Sequence, residues 1–209
     1  MFKLSPSDFK YLWEECPHCF YRKVHYGIEQ PSKPFPGIFT RMQGMLQKNI
    51  LGTNPQELVP ELPSGKFVLQ EGYLKSRTLP SGKSYLNGKF DLLVHFDDGT
   101  YGVIDAKMTD SKDEDLDKFD RQLHAYKYAL ENPVDKEPVC ISKMGLILVL
   151  PTDIKPHKGF VYYKVKPVWK EIPINMDKFF AFIKNVEQLL SGPMPEPSSN
   201  CKWCKYKHG

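Results

Sequence analysis

Charged residues interrupt two neighbouring apolar runs in the segment GKFDLLVHFDDGTYGVIDAKMTD, residues 88 to 110. Asp91 lies near the start of the first run, and Asp105 and Lys107 lie at the end of the second. Alternate side chains of a β-strand share a face, so Asp105 and Lys107 point the same way. The DDG turn between the runs predicts an antiparallel hairpin that brings Asp91 opposite the Asp105 region. Two carboxylates and one ammonium would then meet at one end of the hairpin.

This combination of charges suits the hydrolysis of a phosphodiester. Carboxylate oxygens are good ligands for a hard divalent cation such as Mg²⁺ or Mn²⁺. Such a cation acidifies a water molecule that attacks phosphorus, and the cation and Lys107 offset the charge that develops on the phosphoryl oxygens. We therefore expect Asp91 and Asp105 to bind the cation, with the main-chain carbonyl of Ala106 as an added ligand. The alternative is a surface ion pair, which Asp-x-Lys sequences at strand ends commonly form.

Two pairs of cysteines lie near opposite ends of the chain. CPHC contains Cys16 and Cys19, and CKWC contains Cys201 and Cys204. Two CxxC pairs make a complete four-sulfur shell, which on ligand type suits zinc and an iron-sulfur cluster equally well. The pattern predicts a structural metal that joins the two ends of the chain, and the alternative is four unrelated thiols. Cys140 lies outside both pairs, and we expect it to be an ordinary packing residue.

Periodicity and turn residues predict a mixed α/β chain. One helix is expected from Ser5 to about Trp13 and a second near residues 37 to 50. Three strands follow in KFVLQEGYLKSR, KSYLNGKFDLLVHF and TYGVIDAKM, and a helix runs from about Glu114 to Leu130. KMGLILVLP predicts a buried strand, GFVYYKVKPVW a more exposed one, and Met176 to about Leu190 a last helix. The acids therefore lie in a three-strand meander followed by a helix.

The motifs resemble a known family when they are taken together. GKFD, then IDAK about fourteen residues later, then QLHAYKYAL on a helix resemble the PD-(D/E)XK nuclease superfamily, and most closely its RecB-like branch. The resemblance covers roughly residues 35 to 151. The matching positions are Asp91, Asp105, Lys107, Gln122 and Tyr126. It implies a restriction-endonuclease-like α/β core with a mixed central sheet flanked by helices.

The resemblance also implies roles for residues outside the hairpin. Gln122 and Tyr126, one helical turn apart, are expected to line the active-site groove and contact nucleic acid, although Tyr126 also fits a core position. Glu71 matches an upstream acidic position that supports the metal site. Many members of the branch bring a metal-binding histidine from the helix before the sheet. Here Gln43 or Gln47 occupies that region.

Iron-sulfur members of the RecB-like branch, among them CRISPR-associated exonucleases, tie their two termini through a [4Fe-4S] cluster. The resemblance therefore favours [4Fe-4S] on Cys16, Cys19, Cys201 and Cys204. Those relatives typically use one early and three late cysteines, so the two-and-two division here keeps structural Zn²⁺ as the alternative. We expect one domain over residues 1–209, with a core at about 35–151 and a metal-stapled helical subdomain formed by 1–34 and 168–209.

Composition agrees with these expectations. A chain of 209 residues, 41% of them hydrophobic, suits one sizeable core. The longest apolar run, LILVL, is too short to span a membrane, so we expect an intracellular, cytoplasmic protein. A net charge of +4 permits a polyanionic partner. The chain is interpreted as a metal-dependent deoxyribonuclease acting on single-stranded DNA or duplex ends. The alternative is a non-cleaving DNA-binding or assembly factor with a protein partner in a larger complex.

Overall fold

A computed structural model of the chain describes residues 1–31, 37–109 and 116–208. In chain order, its elements are β1 (Phe2–Leu4), α1 (Pro6–Lys10), α2 (Leu12–Glu15), α3 (Pro17–Tyr26), α4 (Gly37–Ile50), β2 (Gly65–Thr78), β3 (Ser84–Phe96), β4 (Tyr101–Met108), α5 (Leu116–Glu131), β5 (Ile141–His157), β6 (Phe160–Glu171), α6 (Met176–Ser191) and α7 (Lys202–His208). A short 3₁₀ turn covers Pro55–Glu57. Among these helices, none has the length and apolar character needed to cross a lipid bilayer.

The six strands form one mixed sheet. Five of them follow the order β1-β3-β4-β5-β6, and β2 is outside this order and pairs with β3. β2, β3 and β4 form the expected antiparallel meander. β4 and β5 are parallel, which requires a crossover, and α5 provides it. The mixed central sheet flanked by helices, predicted from the motifs, is therefore confirmed.

The sheet separates two apolar cores. On one face, Val103 and Leu148 pack with Leu123 of α5 and with residues of α1, α3 and α6. On the other face, Ile104 and Ala106 pack with the end of α4 and with the segment that follows it. Because side chains alternate along β4, Asp105 and Lys107 continue the face of Val103. The α5 helix therefore covers the side of the sheet that carries these two charges.

The amino terminus differs from the prediction of one helix from Ser5 to Trp13. Phe2–Leu4 form β1, which pairs with Ser84–Leu86 of β3, and the helix is broken at Tyr11, where φ is −121° and ψ is −60°. The break allows both Phe9 and Trp13 to pack edge-on against Phe182 of α6. Tertiary packing here overrides the local helical preference.

Three further predictions concern the helix before β5, the start of the core and Cys140. The expected helix start at Glu114 and the expected core start at residue 35 lie outside the described residues, and α5 is described from Leu116. The prediction that Cys140 is a packing residue is wrong, because Cys140 is exposed. It lies in the connection just before β5, where the chain runs over the surface.

Candidate active site and cysteine cluster

The β3–β4 hairpin brings the predicted acids together. Its register pairs Leu92 with Ile104 and Leu93 with Val103, so the next position along places Asp91 opposite Asp105. The Asp91 carboxylate accepts a hydrogen bond from the backbone N–H of Ala106. Asp105 is buried and Asp91 is half-buried. The two carboxylates thus share one end of the hairpin, beneath α5.

Burial and mutual repulsion make Asp91 a weak acid. Its pKa rises to about 7, first because burial disfavours the charged form and second because the Asp105 charge lies nearby. The Ala106 N–H and Lys10 act in the opposite direction, and Glu71 raises the pKa further. Excess negative charge at a partly buried site is what a divalent cation would neutralise, so the donor set fits Mg²⁺ or Mn²⁺.

Glu71 lies at the exposed rim of this site. The β2–β3 register pairs Gln70 with Leu92 and Gly72 with Phe90, which places Glu71 opposite Asp91. Its φ of +48° lies in the left-handed region that non-glycine residues seldom adopt. Backbone strain of this kind is concentrated at functional sites. The structure therefore brings Glu71 close enough to act on Asp91 electrostatically.

Two lysines meet at the ring of Phe119 on α5. The Nζ of Lys107 lies 4.9 Å from the ring centroid, and the Nζ of Lys10 lies 3.4 Å from it. Both distances suit a cation–π contact. Lys10 is buried and lowers the pKa of Asp91, so it belongs to the site. Sequence reasoning missed Lys10, because only the docking of α1 against α5 brings it there.

Gln122 and Tyr126 form a buried pair on α5. Gln122 Nε2 donates a 2.6 Å hydrogen bond to the Tyr126 hydroxyl, and Gln122 Oε1 finds no hydrogen-bond partner within the described part of the chain. Burial raises the pKa of Tyr126, and the charges of Asp105 and Asp91 raise it further, so its hydroxyl stays neutral. Tyr126 is thus both a core residue and a neighbour of the carboxylates. An unpaired buried acceptor at this position fits a ligand that donates to it.

Gln43 lies in the part of α4 where the family resemblance expected a histidine. Its Nε2 lies 3.5 Å from Asp91 Oδ2, the long limit of a hydrogen bond. Gln47, the other candidate, is buried one turn further along α4 with Ile50. Gln43 is therefore the α4 residue that reaches Asp91, and it brings a neutral amide where an imidazole was expected.

Comparison with known proteins decides the family. The family model of the PD-(D/E)XK nuclease superfamily matches residues 41–208. The chain belongs to the PD-(D/E)XK nuclease superfamily. No curated protein sequence matches it significantly. The solved structure of a protein called SSO0001 is similar in fold, with a TM-score of 0.57 and 16% identity over 98% of this chain and 82% of that one.

Membership in the PD-(D/E)XK superfamily places the chain among nucleases that use divalent metals, which agrees with the carboxylate pair at the β3–β4 hairpin. The matched region begins at residue 41, so it includes Cys201 and Cys204 but not Cys16 and Cys19. The amino-terminal half of the cysteine cluster therefore rests on the structure alone.

The four cysteines of this PD-(D/E)XK protein converge into one buried cluster. Cys16 and Cys19 lie at the start of α3, and Cys201 and Cys204 at the start of α7. Cys204 Sγ lies 3.7 Å from that of Cys16 and 3.4 Å from that of Cys19, and Cys19 Sγ lies 3.8 Å from that of Cys201. All four sulfurs lie within 4.8 Å of one another. This arrangement fits a four-coordinate metal.

Polar groups around the sulfurs support metal binding. Burial alone would raise the pKa of Cys16, yet it is lowered, because the N–H groups of Cys19 and Ser198 donate to its sulfur. Gln30 Nε2 lies 3.7 Å from Cys201 Sγ. Burial raises the pKa of Cys19 to about 11, so without a cation this thiol stays protonated. Orienting donors of this kind commonly surround ligating residues.

Side chains of helix α3 also form hydrogen bonds with the end of α6 and the segment that follows it. His18 Nδ1 lies 2.7 Å from the carbonyl oxygen of Pro195, and His25 Nε2 lies 2.9 Å from that of Leu190. The Tyr21 hydroxyl donates to the Gly192 carbonyl at 3.4 Å. The two ends of the chain are therefore joined by backbone-directed hydrogen bonds as well as by the cysteine cluster.

Proposed function

We propose that this PD-(D/E)XK protein is a metal-dependent deoxyribonuclease acting on single-stranded DNA or on duplex ends. The observation that carries the proposal is the pair of Asp91 and Asp105, half-buried and buried, which shares one sheet face with Lys107. Asp91 and Asp105 hold Mg²⁺ or Mn²⁺, with Glu71 and the Ala106 carbonyl as further ligands. The preference for DNA ends and single strands rests on the resemblance to the RecB-like branch.

The side chains around the carboxylates have distinct tasks in this proposal. When bound, the divalent cation neutralises charge on the phosphoryl oxygens and acidifies a water molecule. Lys107 stabilises the negative charge of the transition state and positions the nucleophile. Lys10 supplies a further positive charge, which is buried and favours ionised Asp91. Gln122 offers its unpaired Oε1 to a donor on the nucleic acid, and Tyr126 holds the Gln122 amide in place.

The direct test is cleavage of DNA labelled at either end. Linear single strands, circular single strands and blunt duplexes are incubated with Mn²⁺, with Mg²⁺ or with EDTA. We expect cleavage of the linear single strand with a divalent metal and none in EDTA. Resistance of the circular single strand would establish an end requirement, and the labelled end that shortens first gives the polarity. Asp91→Asn, which weakens the metal site, is the control with strongly reduced cleavage.

A second candidate is a non-cleaving DNA-binding or assembly factor that keeps the nuclease fold inside a larger complex. The observation that favours it is Gln43, a neutral amide at the place expected for a metal-binding histidine. This candidate predicts DNA binding with no cleavage in any divalent metal. Gain of cleavage in Gln43→His would then locate the defect at that position.

For the cysteine cluster we propose structural zinc. A tetrahedral zinc with Zn–S bonds of about 2.3 Å places its sulfurs about 3.8 Å apart. The shortest Sγ separations in the cluster, between 3.4 and 3.8 Å, support this geometry. A [4Fe-4S] cluster puts a separate iron behind each thiolate and spreads the sulfurs further. Sulfur spacing therefore supports the alternative over the iron-sulfur cluster expected from the family resemblance.

A further inference from the structure

Strands β5 and β6 continue beyond the body of the sheet as a two-stranded arm, here called the β5–β6 arm (residues 151–166). β5 is buried from Met144 to Leu150 and exposed from Pro151 to its end at His157. Lys158 and Gly159 both have positive φ, +47° and +82°, as a two-residue hairpin turn requires. Cross-strand pairing continues up to His157 and Phe160, with a one-residue bulge on β5 between Pro151 and Asp153.

The arm has two chemically different faces. His157 pairs with Phe160, Lys155 with Tyr162 and Asp153 with Lys164. Directly opposed residues share a face, so one side, the basic-aromatic face, contains Asp153, Lys155, His157, Phe160, Tyr162, Lys164 and Lys166. The other side, the apolar face, contains Ile154, Pro156, Val161 and Tyr163.

The basic-aromatic face lies on the active-site side of the sheet. By alternation along β6 it continues to Val168, which pairs with Leu148. Leu148 pairs in turn with Lys107 and belongs to the same core as Val103. At about 3.3 Å per residue, the nine residues from Leu148 to His157 carry this face roughly 30 Å away from Lys107. A polymer bound at the carboxylates can therefore reach the arm without crossing the sheet.

Composition of this face suits a single-stranded nucleic acid. The arm has four lysines and one aspartate, Asp153, which pairs with Lys155 at 3.3 Å. Phe160 and Tyr162 are 69% and 57% exposed, although large rings are usually buried. Lysines that neutralise phosphates and rings that stack on bases are the two components of sequence-independent single-strand binding. Protein–protein interfaces are depleted in lysine, so this face is a poor match for a protein partner.

We propose that the basic-aromatic face of the β5–β6 arm binds the single-stranded part of the substrate that extends from the active site. The inference rests on the proposed nuclease function and adds where the polymer lies. Phe160 and Tyr162 stack on bases, and Lys164 and Lys166 contact phosphates. Substrate binding thus depends on length, since a short oligonucleotide held at the carboxylates does not reach the arm.

The test compares the two faces of the same strand. Phe160→Ala/Tyr162→Ala alters the basic-aromatic face, and Val161→Ala/Tyr163→Ala is the matched control on the apolar face. Fluorescent oligothymidylates of about 4 and about 16 nucleotides, which span common single-strand site sizes, are titrated in EDTA so that nothing is cleaved. Thermal melting verifies the fold of each variant, and hydrolysis of bis(p-nitrophenyl) phosphate with Mn²⁺ reports on the chemistry alone.

We expect Phe160→Ala/Tyr162→Ala to weaken binding of the longer oligonucleotide by about tenfold or more, with the shorter one unchanged. The apolar-face control should bind within about twofold of wild type. Lys164→Ala/Lys166→Ala should make the slope of log affinity against log salt concentration less negative by about 1.4.

The inference would be overturned if Phe160→Ala/Tyr162→Ala bound the longer oligonucleotide as tightly as wild type. It would also be overturned if Val161→Ala/Tyr163→Ala weakened that binding equally. A change of oligomeric state in the apolar-face variant alone, with DNA affinity intact in all variants, would also overturn it and make the arm a protein interface. If wild type binds no DNA, the inference fails, and hydrolysis of the small phosphodiester then shows whether the proposed chemistry survives. Binding that depends on the arm without any hydrolysis retains the inference and refutes the nuclease.

Discussion

The carboxylate of Asp91 on β3 accepts a hydrogen bond from the backbone N–H of Ala106 on β4. Ala106 lies between Asp105 and Lys107, so this one bond holds Asp91 against both of them. The side chain of Ala106 packs in the core on the other face of the sheet, which anchors β4 at this point. The positions of the three charged groups are therefore set by the hairpin, and their substitution should affect chemistry more than folding.

Lys107→Ala should lower DNA cleavage by about two to four orders of magnitude, because it removes positive charge that stabilises the transition state. The melting temperature should change little, since Lys107 lies at the end of its strand. Single-turnover cleavage in Mn²⁺ measures the effect. Lys66→Ala, at an exposed position of β2, is the matched control and should cleave like wild type. Cleavage by Lys107→Ala at the wild-type rate would remove Lys107 from the mechanism.

Asp91→Asn should weaken the apparent affinity for Mn²⁺, because it removes a charged ligand. Titration of the cleavage rate, or of protein melting temperature, against Mn²⁺ concentration measures this affinity. We expect the midpoint to rise by at least tenfold. Asp98→Asn, which changes an exposed carboxylate in the turn of the same hairpin, should leave the midpoint where it is. Identical titrations for wild type and Asp91→Asn would exclude Asp91 as a ligand.

Stability of the metal-free protein should fall as pH rises through about 7. The pKa of Asp91 is raised in the folded state to about 7 from an ordinary 3.8, so ionisation of Asp91 opposes folding. Its contribution to the free energy of unfolding is fully present below about pH 4, declines between pH 4 and pH 7 and is absent above that, a loss of no more than about 4 kcal/mol. Thermal melting in EDTA from pH 5 to pH 8 measures the loss, and Asp91→Asn should flatten the curve.

Mn²⁺ competes with the proton on Asp91, so it should raise the melting temperature more at pH 8 than at pH 6. A stabilisation of equal size at both pH values would contradict the raised pKa of Asp91.

Lys10→Met should move the pH dependence of Mn²⁺ binding to higher pH. Lys10 lowers the pKa of Asp91, so its removal leaves that carboxyl an even weaker acid. Methionine keeps much of the side-chain volume against Phe119. Mn²⁺ affinity measured from pH 6 to pH 9 reports the shift, and Lys3→Met, at an exposed position of β1, provides the control. A displacement toward lower pH would contradict the proposed role of Lys10.

Cys201→Ser should lower the zinc content from about one ion per chain to near zero and lower the melting temperature. The four ligands join the two ends of the chain, so their loss costs a substantial part of a metal-binding free energy that is on the order of 10 kcal/mol in small zinc domains. Elemental analysis and thermal melting measure the two effects. Cys140→Ser, at the exposed cysteine, should change neither.

The colour and metal content of the same samples distinguish a zinc site from an iron-sulfur cluster. A colourless protein with zinc supports the tetrahedral site, whereas a brown protein with iron would restore the [4Fe-4S] cluster. Full metal content and unchanged melting in Cys201→Ser would show that the CxxC pairs form no shared site. The β3–β4 hairpin is separate from the cysteines, so we expect aggregation or protease sensitivity before loss of hydrolysis.

The sequence by itself determined the features that follow from local geometry. Strand alternation and the DDG turn were enough to bring Asp91 toward Asp105 and Lys107, because these residues are separated by a single hairpin. The i and i+4 positions of Gln122 and Tyr126 likewise followed from helical periodicity. Cys16, Cys19, Cys201 and Cys204 were recognisable as one set because each pair has the spacing of a metal-binding motif.

Only the tertiary structure decided which distant residues join those sets. The break at Tyr11, the buried position of Lys10 beside Asp91 and the contact of Gln43 with Asp91 each depend on how helices dock against the sheet. Sulfur spacing in the cysteine cluster and the exposure of Cys140 depend on the same packing. Backbone geometry acts over a few residues and can be inferred from sequence patterns, whereas contacts between distant segments are set by the packing of the whole core.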